Sequence, residues 1–316
     1  MLKRKSIDYQ EIVSLCETDK FKKLEEVIET QVQKISSTNE IGLFDVKVQL
    51  RLLLPITEIP PWKELSDNDK ATFLIKKLEE TIKSYRRMSI KYCSLAGAPL
   101  LIGAERMHHD KVDNKTYCYL KNGKNQFFLM DHVSVSDSKY IESKLHYLHS
   151  FRTDSTIRLG LYLVGYKKPV AYMSLAKVDR KDKIDYLTQF VNNQIQDDVY
   201  EIARTYGCEK LPSNTISIMM SFCFKLLRKK GVKYLITAVN PYLGFSGTSL
   251  LASSFEPFAL RKVIYSYTDE FDFIVSRTKR KGQTYYTNEF MPPNILFVKQ
   301  LKGKSQATQQ IANGEL

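Results

Sequence analysis

The chain has 316 residues, enough for two ordinary domains, and a hydrophobic fraction of 43% supplies each with a core. Its 48 Lys and Arg against 35 Asp and Glu leave a formal net charge of +13. Such an excess draws polyanions through long-range, salt-dependent forces: nucleic acid first, then an anionic membrane or a phosphorylated cofactor. The bland alternative is a basic surface with no specific partner. The five cysteines (Cys16, Cys93, Cys118, Cys208, Cys223) contain no CxxC pair, which excludes a ribbon-type zinc site and a disulfide scaffold and fits reduced thiols. No stretch approaches the roughly 18 uninterrupted apolar residues of a membrane span, and Ser6 to Lys23 offers no apolar core for a signal peptide. A soluble, cytoplasmic protein with no membrane contact is expected.

In chain order, residues 7–35 carry Ile12, Leu15, Phe21, Leu24, Val27, Ile28 and Ile35 at near-helical spacing among charges, and read as helix. Val46 to Leu54 reads as a strand, ended by Pro55 and then Pro60-Pro61. Ser66 is an N-cap candidate for a second helix with Phe73, Leu74, Leu78 and Ile82 inward and a basic face at Lys83, Arg86 and Arg87. Tyr92 to Gly103 is short and apolar around a Gly97-Ala98-Pro99 turn, Lys111 to Lys124 is polar and turn-rich, and Phe127 to Met130 resumes a strand. The best boundary falls between Val133 and Lys139, giving a helical and mixed region at 1–135, a second domain at 136–301 and a disordered polar tail at 302–316.

The second domain is patterned in more detail. Tyr140 to His149 reads as a short helix, Ile157 to Val164 and Val170 to Val178 as a hairpin, and Ile184 to Ile195 as a helix. Val199 to Tyr206 is a strand, Thr215 to Arg228 a long apolar helix, Tyr234 to Val239 a buried strand, and Gly247 to Ser254 a small-residue helix. Arg261 to Tyr267 and Phe271 to Arg277 read as a closing hairpin. The order implies an α/β (α+β) domain: a mixed, mostly antiparallel sheet with flanking helices.

Three places carry candidate chemistry. At the junction into Thr215 to Arg228, Pro212 precedes Ser213, Asn214 and Thr215, which suit capping; a helix start of this kind can hold a phosphate, or can simply be a well-capped core helix. Asn240-Pro241 ends a strand before Gly244 and Gly247, where Asn240 is placed to bond a ligand amide or to start a turn. The histidines His108, His109, His132, His146 and His149 lie in one part of the chain. His146 and His149, three apart, would share a helical face suited to base chemistry, or to a metal completed by Glu142 or Asp131; polar surface is the commoner use of such residues, and no metal is expected. Arg152 is placed for a phosphate or ligand carboxylate. Basic runs at residues 177–183, at Arg228, Lys229 and Lys230, and at Lys279, Arg280 and Lys281 are candidates for nucleic acid, the last beside Tyr285-Tyr286; cations at helix ends also have a purely structural role.

The succession of strand, Pro-capped helix, strand ending in Asn, short helix and Phe255 is similar to the GCN5-related N-acetyltransferase superfamily. More narrowly, YEIARTY, PSNTISIMM and YLITAVNPYLGFSGTSLLASSF, with the His146 to His149 run and Val170 to Ser174, resemble the Mom family of phage DNA-modification proteins. The resemblance covers residues 140–280. It implies an acyltransferase-like fold that modifies adenine N6 in DNA with acyl-CoA or a related acyl donor. It also implies that Ser213, Asn214, Thr215 and Ser217 sit at the cofactor phosphate, that Arg204 faces the same cleft and that Asn240 contacts a pantetheine-like arm. The usual Arg/Gln-x-x-Gly-x-Gly/Ala loop is replaced here by Cys208-Glu-Lys-Leu-Pro-Ser-Asn, and the usual helix tyrosine by Leu250 or Leu251, with Tyr265 and Tyr267 as substitutes. The implied mechanism is attack of an exocyclic amine on the donor, with His149 or Tyr267 managing the proton, His146 and Arg152 meeting the substrate, and the base extruded from a duplex. Two rivals stand beside it: a non-catalytic DNA-binding accessory protein on the same scaffold, and an N-acyltransferase for a peptide or small amine.

Overall fold

The computed structural model describes residues 9–102, 106–112, 115–120, 126–130, 132–192, 195, 199–209, 211–263, 265–268, 273–274, 285–288 and 291–301. The chain opens with helices α1 (Tyr9–Ser14), α2 (Lys22–Asn39), α3 (Leu43–Leu53) and α4 (Asp67–Leu95). Ser66 caps α4, its hydroxyl accepting the Asp69 N–H at 3.2 Å, and Asp67 and Asp69 complement the positive end of the helix. Ala71, Leu74, Leu78, Ile82, Ser89 and Tyr92 form the buried stripe of α4 at spacings of three, four and seven.

Strands β1 (Met107–Val112), β2 (Lys115–Leu120) and β3 (Gln126–Met130) follow, then α5 (Val135–Tyr140), which runs into one π-turn at Ile141–Leu145. Next come β4 (Ser155–Leu163), β5 (Pro169–Lys177), α6 (Lys181–Val191), β6 (Val199–Gly207), α7 (Thr215–Lys229), β7 (Tyr234–Val239), α8 (Thr248–Ala252) and β8 (Glu256–Arg261). The chain closes with β9 (Tyr265–Thr268), β10 (Phe273–Ile274), β11 (Tyr285–Asn288) and β12 (Asn294–Gln300).

Among the described residues, nine strands form one sheet in the order β1-β2-β3-β4-β5-β6-β7-β12-β8, while β10, β9 and β11 form a small second sheet. Neighbours in the large sheet are antiparallel except β6 and β7, which run parallel and pair only from Val199 opposite Tyr234 to Glu201 opposite Ile236. Beyond Glu201, β6 stays paired with β5 as far as Gly207 but parts from β7. That divergence, one strand edge turned away from its neighbour midway along the sheet, positions everything below. The mixed, mostly antiparallel sheet with flanking helices is the expected fold class.

Among the described residues, two large apolar clusters flank the sheet, and a small third one packs Leu187 of α6 with Val199, Ile236 and Val298. On one side α7 (Met219, Cys223, Leu227) packs with Leu159, Leu161, Tyr172 and Leu175 of the central hairpin. In the other cluster α2, α3 and α4 pack Val32, Leu52, Leu74 and Leu78 with Tyr242, Leu243, Tyr267 and Met291 from the C-terminal half. Burial of side chains of this size stabilises by about 1.5–3 kcal/mol each before ordering costs. β3 pairs with β4 on either side of residues 133–139, so the sheet passes across that stretch.

Several expectations are corrected. Val46 to Leu54 is not a strand but α3 and the turn after it, with Val46, Val48, Gln49, Leu50, Leu52 and Leu53 all buried. A helix enclosed on several sides needs no polar face, and the alternation of apolar residues mimics a strand. The helix expected over 7–35 is two helices with a break at residues 15–21. Lys111 to Lys124 holds strand rather than only turn, in β1 and β2. The closing hairpin is present as β9 paired antiparallel with β10 in the small sheet, while Arg261, placed at its start, ends β8 of the large sheet. β12, which the sequence reading passed over, sits between β7 and β8. The tail at 302–316 lies outside the described residues.

Candidate functional site

The end of β6, past the point where it parts from β7, lines a cavity of about 300 Å³. Its floor is the end of β6 and the residues after it, Thr205 to Glu209; its roof is α3 and α4 through Asp45, Gln49 and Tyr85; and one wall is His146 and Tyr147. Neither the helical layer nor the sheet makes this space alone.

The wall is built by the π-turn. His146 N–H donates to Ile141 O at 2.8 Å, closing the wide turn, after which His146 takes extended backbone. His149 N–H donates to His146 O at 2.9 Å, and His149 itself has φ +46°, a left-handed conformation that His tolerates better than most side chains. The two histidines therefore do not share a helical face: the helix expected to Tyr140 to His149 has ended at Leu145. Two buried charges hold the segment. Glu142, fully buried, accepts the Arg152 N–H at 2.6 Å and the Tyr172 hydroxyl at 2.8 Å. Arg204 of β6 donates to Ser150 O from Nε at 3.4 Å and Nη2 at 3.3 Å, and to Ala203 O at 2.7 Å. Charge-assisted bonds of this kind hold a loop more firmly than neutral ones.

The electrostatics of the cavity follow from burial. His146 is held well below the usual imidazole value, first by burial and then by the charges of Arg204 and His149, so it is neutral. Its Nδ1 accepts the Leu148 N–H at 3.2 Å, which puts the imidazole proton on Nε2 and makes that atom a donor. Burial raises the Tyr147 phenol to about 12, against the lowering effect of Arg204. Burial also raises the Asp45 carboxyl above its ordinary value and holds Tyr85 as a neutral phenol. A carboxyl with raised proton affinity and a neutral imidazole donor thus line one space. Asp45 was beyond sequence reasoning because the residues after it, Val46 to Leu54, read as a strand rather than as the helix that carries it over the cavity.

The other anticipated residues are placed elsewhere. At the start of α7 the Asn214 side chain does not cap the helix: Oδ1 accepts Met107 N–H at 2.8 Å, and Nδ2 donates to Met107 O at 2.6 Å, tying α7 to β1. Thr215 is buried and donates to Pro212 O at 2.7 Å; Ser213 and Ser217 are exposed. Arg204 is engaged with backbone as described. Asn240 is buried, its carbonyl accepting Leu243 N–H at 3.2 Å, and it does not line the cavity. Tyr267 is 1% exposed, with its hydroxyl donating to Leu52 O at 2.9 Å, so it is a core residue and not a proton-transfer group. The Tyr265 side chain, Asp131, Lys279, Arg280 and Lys281 lie outside the described residues. His149 Nε2 is 3.4 Å from Oε1 of Gln49, which lines the cavity. Arg152 is ion-paired with Asp154, Nε to Oδ1 at 2.8 Å and Nη2 to Oδ2 at 2.5 Å. Arg228, Lys229 and Lys230 are exposed at the end of α7. Among the described residues, no group of three His, Cys, Asp or Glu is arranged to hold a metal ion, and no helix is long and apolar enough to cross a membrane.

Solved structures similar to this chain share little sequence with it. An N-acyl amino acid synthase from uncultured soil microbes is 11% identical with a TM-score of 0.36, the match covering 61% of this chain and 99% of that one. The ribosomal-protein-S18-alanine N-acetyltransferase of Escherichia coli is 11% identical, TM-score 0.35, covering 57% and 97%. An N-acetyltransferase of Staphylococcus aureus Mu50 is 13% identical, TM-score 0.32, covering 56% and 97%. No curated protein sequence matches. The model of the Mom protein family matches residues 127–291, more than half of the chain and the whole of the stretch from β4 to β11, and the chain belongs to that family.

Proposed function

We propose that this protein modifies nucleic acid, transferring an acyl-type group to the exocyclic amine of a base held in the cavity between the end of β6 and the roof of α3 and α4. The observation that carries the reading is that Asp45, with raised proton affinity, and His146, as a neutral donor, line the same cavity at the end of β6. The family resemblance supports DNA as the substrate, and the net charge of +13 supports a polyanion. In this reading the helices of residues 1–135 roof the site and residues 136–301 furnish its floor and wall.

The start of α7 does not fit the diphosphate of a coenzyme-A-type donor. Asn214 is spent on Met107 and Thr215 on Pro212, and the cavity lining does not include them. No step is therefore routed through that group, and the assigned steps are those of the chain itself. Asp45 accepts the proton that the amine loses on acylation. The His146 Nε2–H donates to the oxygen on which negative charge develops, at no cost in reorganisation because the imidazole is held by Leu148 and the clamped loop. Asp45→Asn and His146→Asn should each lower modification by about 10²-fold or more. Mass spectrometry of nucleosides from DNA of cells expressing each form checks this. An adduct that persists at full level in both variants would remove the site from this cavity.

A second reading has one observation in its favour. The helix start that would hold a donor phosphate is closed by the Asn214 clamp, as suits a DNA-binding accessory protein. An unmodified nucleoside profile for the unaltered protein, together with tight and salt-sensitive DNA binding, would establish it.

A further inference from the structure

A second cavity, of about 560 Å³, opens along the C-terminal part of α4 and is lined by Ser89, Ile90, Cys93, Ile102 and Glu209 among others. Cys93 and Cys208 meet between the two cavities, Cys93 in the wall of the second and Cys208 in the lining of the first. The Cys93 Sγ lies 3.8 Å from Ser89 Oγ and 3.9 Å from Tyr206 Oη, and the Tyr206 hydroxyl donates to Cys208 Sγ at 3.8 Å. Both sulfurs thus meet the same Tyr206 hydroxyl, with Cys93 half-buried in a cavity wall beside Ser89 and Cys208 4% exposed behind it. Cys16 and Cys223 have no such setting: each is fully buried, and burial pushes both thiols up.

We propose that Cys93 and Cys208 form a peroxide-reactive dithiol, in which Cys93 is oxidised first and Cys208 resolves it as a disulfide joining α4 to the end of β6. The Cys93 thiolate attacks one peroxide oxygen; the O–O bond breaks, and the leaving hydroxide takes up the proton the thiol released, giving a sulfenic acid and water. The Cys208 sulfur then attacks the sulfenic sulfur, the S–O bond breaks, and the departing hydroxide leaves as water with the Cys208 proton. The two thiols are oxidised by two electrons in all and one peroxide is reduced. The hydrogen bonds from Cys208, Ser89, Tyr206 and Glu209 lower the first ionisation, at Cys93. Once Cys93 is charged, its own charge and that of the Glu209 carboxylate oppose the second, at Cys208. Tyr92, Tyr85 and Tyr206 also face the pair, all as neutral phenols.

The test uses the full chain treated with a stoichiometric amount of hydrogen peroxide, alkylated, digested and mapped by mass spectrometry. A cross-link between the peptides carrying Cys93 and Cys208 is expected. In Cys208→Ser, a Cys93 sulfenic acid trapped by a 1,3-dione should replace it, and Cys93→Ser should leave Cys208 and Cys223 reduced. A readout without substitutions accompanies these: in the unaltered protein near pH 7, iodoacetamide should modify Cys93 about tenfold or more faster than Cys16 and Cys223. Oxidation to the sulfinic acid with no cross-link, or a first oxidation at any other cysteine, would overturn the proposal. So would a Cys93 alkylation rate no greater than that of the buried thiols. None of these results depends on whether a base is modified.

Discussion

His146 brings a cost as well as a chemical role. The native state keeps its imidazole neutral by enclosing it beside Arg204, so protons bind the unfolded chain more tightly than the folded one. The sign follows directly. The contribution is complete above the ordinary imidazole value of 6.5, and it is lost as pH falls below 6.5 towards the lower folded value. The loss is at most about 1.4 kcal/mol per pH unit. His146→Asn keeps an acceptor near the position of Nδ1 for the Leu148 N–H but cannot take up a proton. Urea unfolding at pH 7.5 and at pH 5.5 should therefore show a smaller acid destabilisation for the variant than for the parent, by about 1 kcal/mol or more. Equal losses in the two proteins would mean that His146 is protonated in the folded state, and its role as a neutral donor would fall with that result. The same residue shows a limit of motif reading. Two histidines three apart suit one helical face, but the π-turn at Ile141–Leu145 uses up the helix before either is reached. Residue types alone do not announce where a helix widens and stops.

Among the elements, α4 is the one most directly written in the sequence. Its cap, its acidic first turn and its apolar stripe agree with one another, and the structure realises all three. Ser66→Ala should cost about 1 kcal/mol of global stability, since the Asp69 N–H loses its acceptor at the end of a helix that roofs the cavity. Ser66→Asp, which restores an acceptor, should recover most of it. Denaturant midpoints for the three proteins decide the matter, and a shift of under about 0.3 kcal/mol for the alanine form would mean the helix end is frayed. The central hairpin of β4 and β5, the strand β6 and helix α7 were legible for similar reasons, because period, turn residues and length agree locally. α3 and β12 were not. The alternation Val46, Val48, Leu50, Leu52 satisfies a strand template, and only the packing of α3 against α4 and residues 241–243 makes it a helix. β12 is a short apolar run whose partners, β7 and β8, lie earlier in the chain, so its place rests on non-local pairing. The candidate site was legible in part for the same reason. His146 stands inside the recognisable motif, whereas Asp45 reaches the cavity only because a helix from the other half of the chain closes over it.

For the molecule as a whole, the net charge of +13 is the property with the longest reach, and α7 shows how its local and global uses can be separated. Arg228, Lys229 and Lys230 stand exposed in the last turn of that helix and just beyond it. As cations at a helix C-terminus they each stabilise the fold by about 0.3–1 kcal/mol, an effect confined to the final turn. As part of a DNA-binding face they would each neutralise a phosphate and release a counterion. The two roles leave different traces. Loss of the helix-end role lowers unfolding stability and leaves DNA affinity unchanged. Loss of phosphate contacts lowers the slope of log affinity against log salt concentration by about 0.9 for each contact, or about 2.7 for three. The triple variant Arg228→Ala, Lys229→Ala, Lys230→Ala is expected to bind duplex DNA more weakly at low salt and to show a slope shallower by about 1–2.7, with the same sequence preference as the parent. Fluorescence anisotropy of a labelled duplex across a salt series measures the slope, and a urea titration of the same samples measures the helix-end term. An unchanged slope with lowered stability would assign the cluster to the helix alone and move the search for the DNA-facing surface to the other basic faces of the molecule.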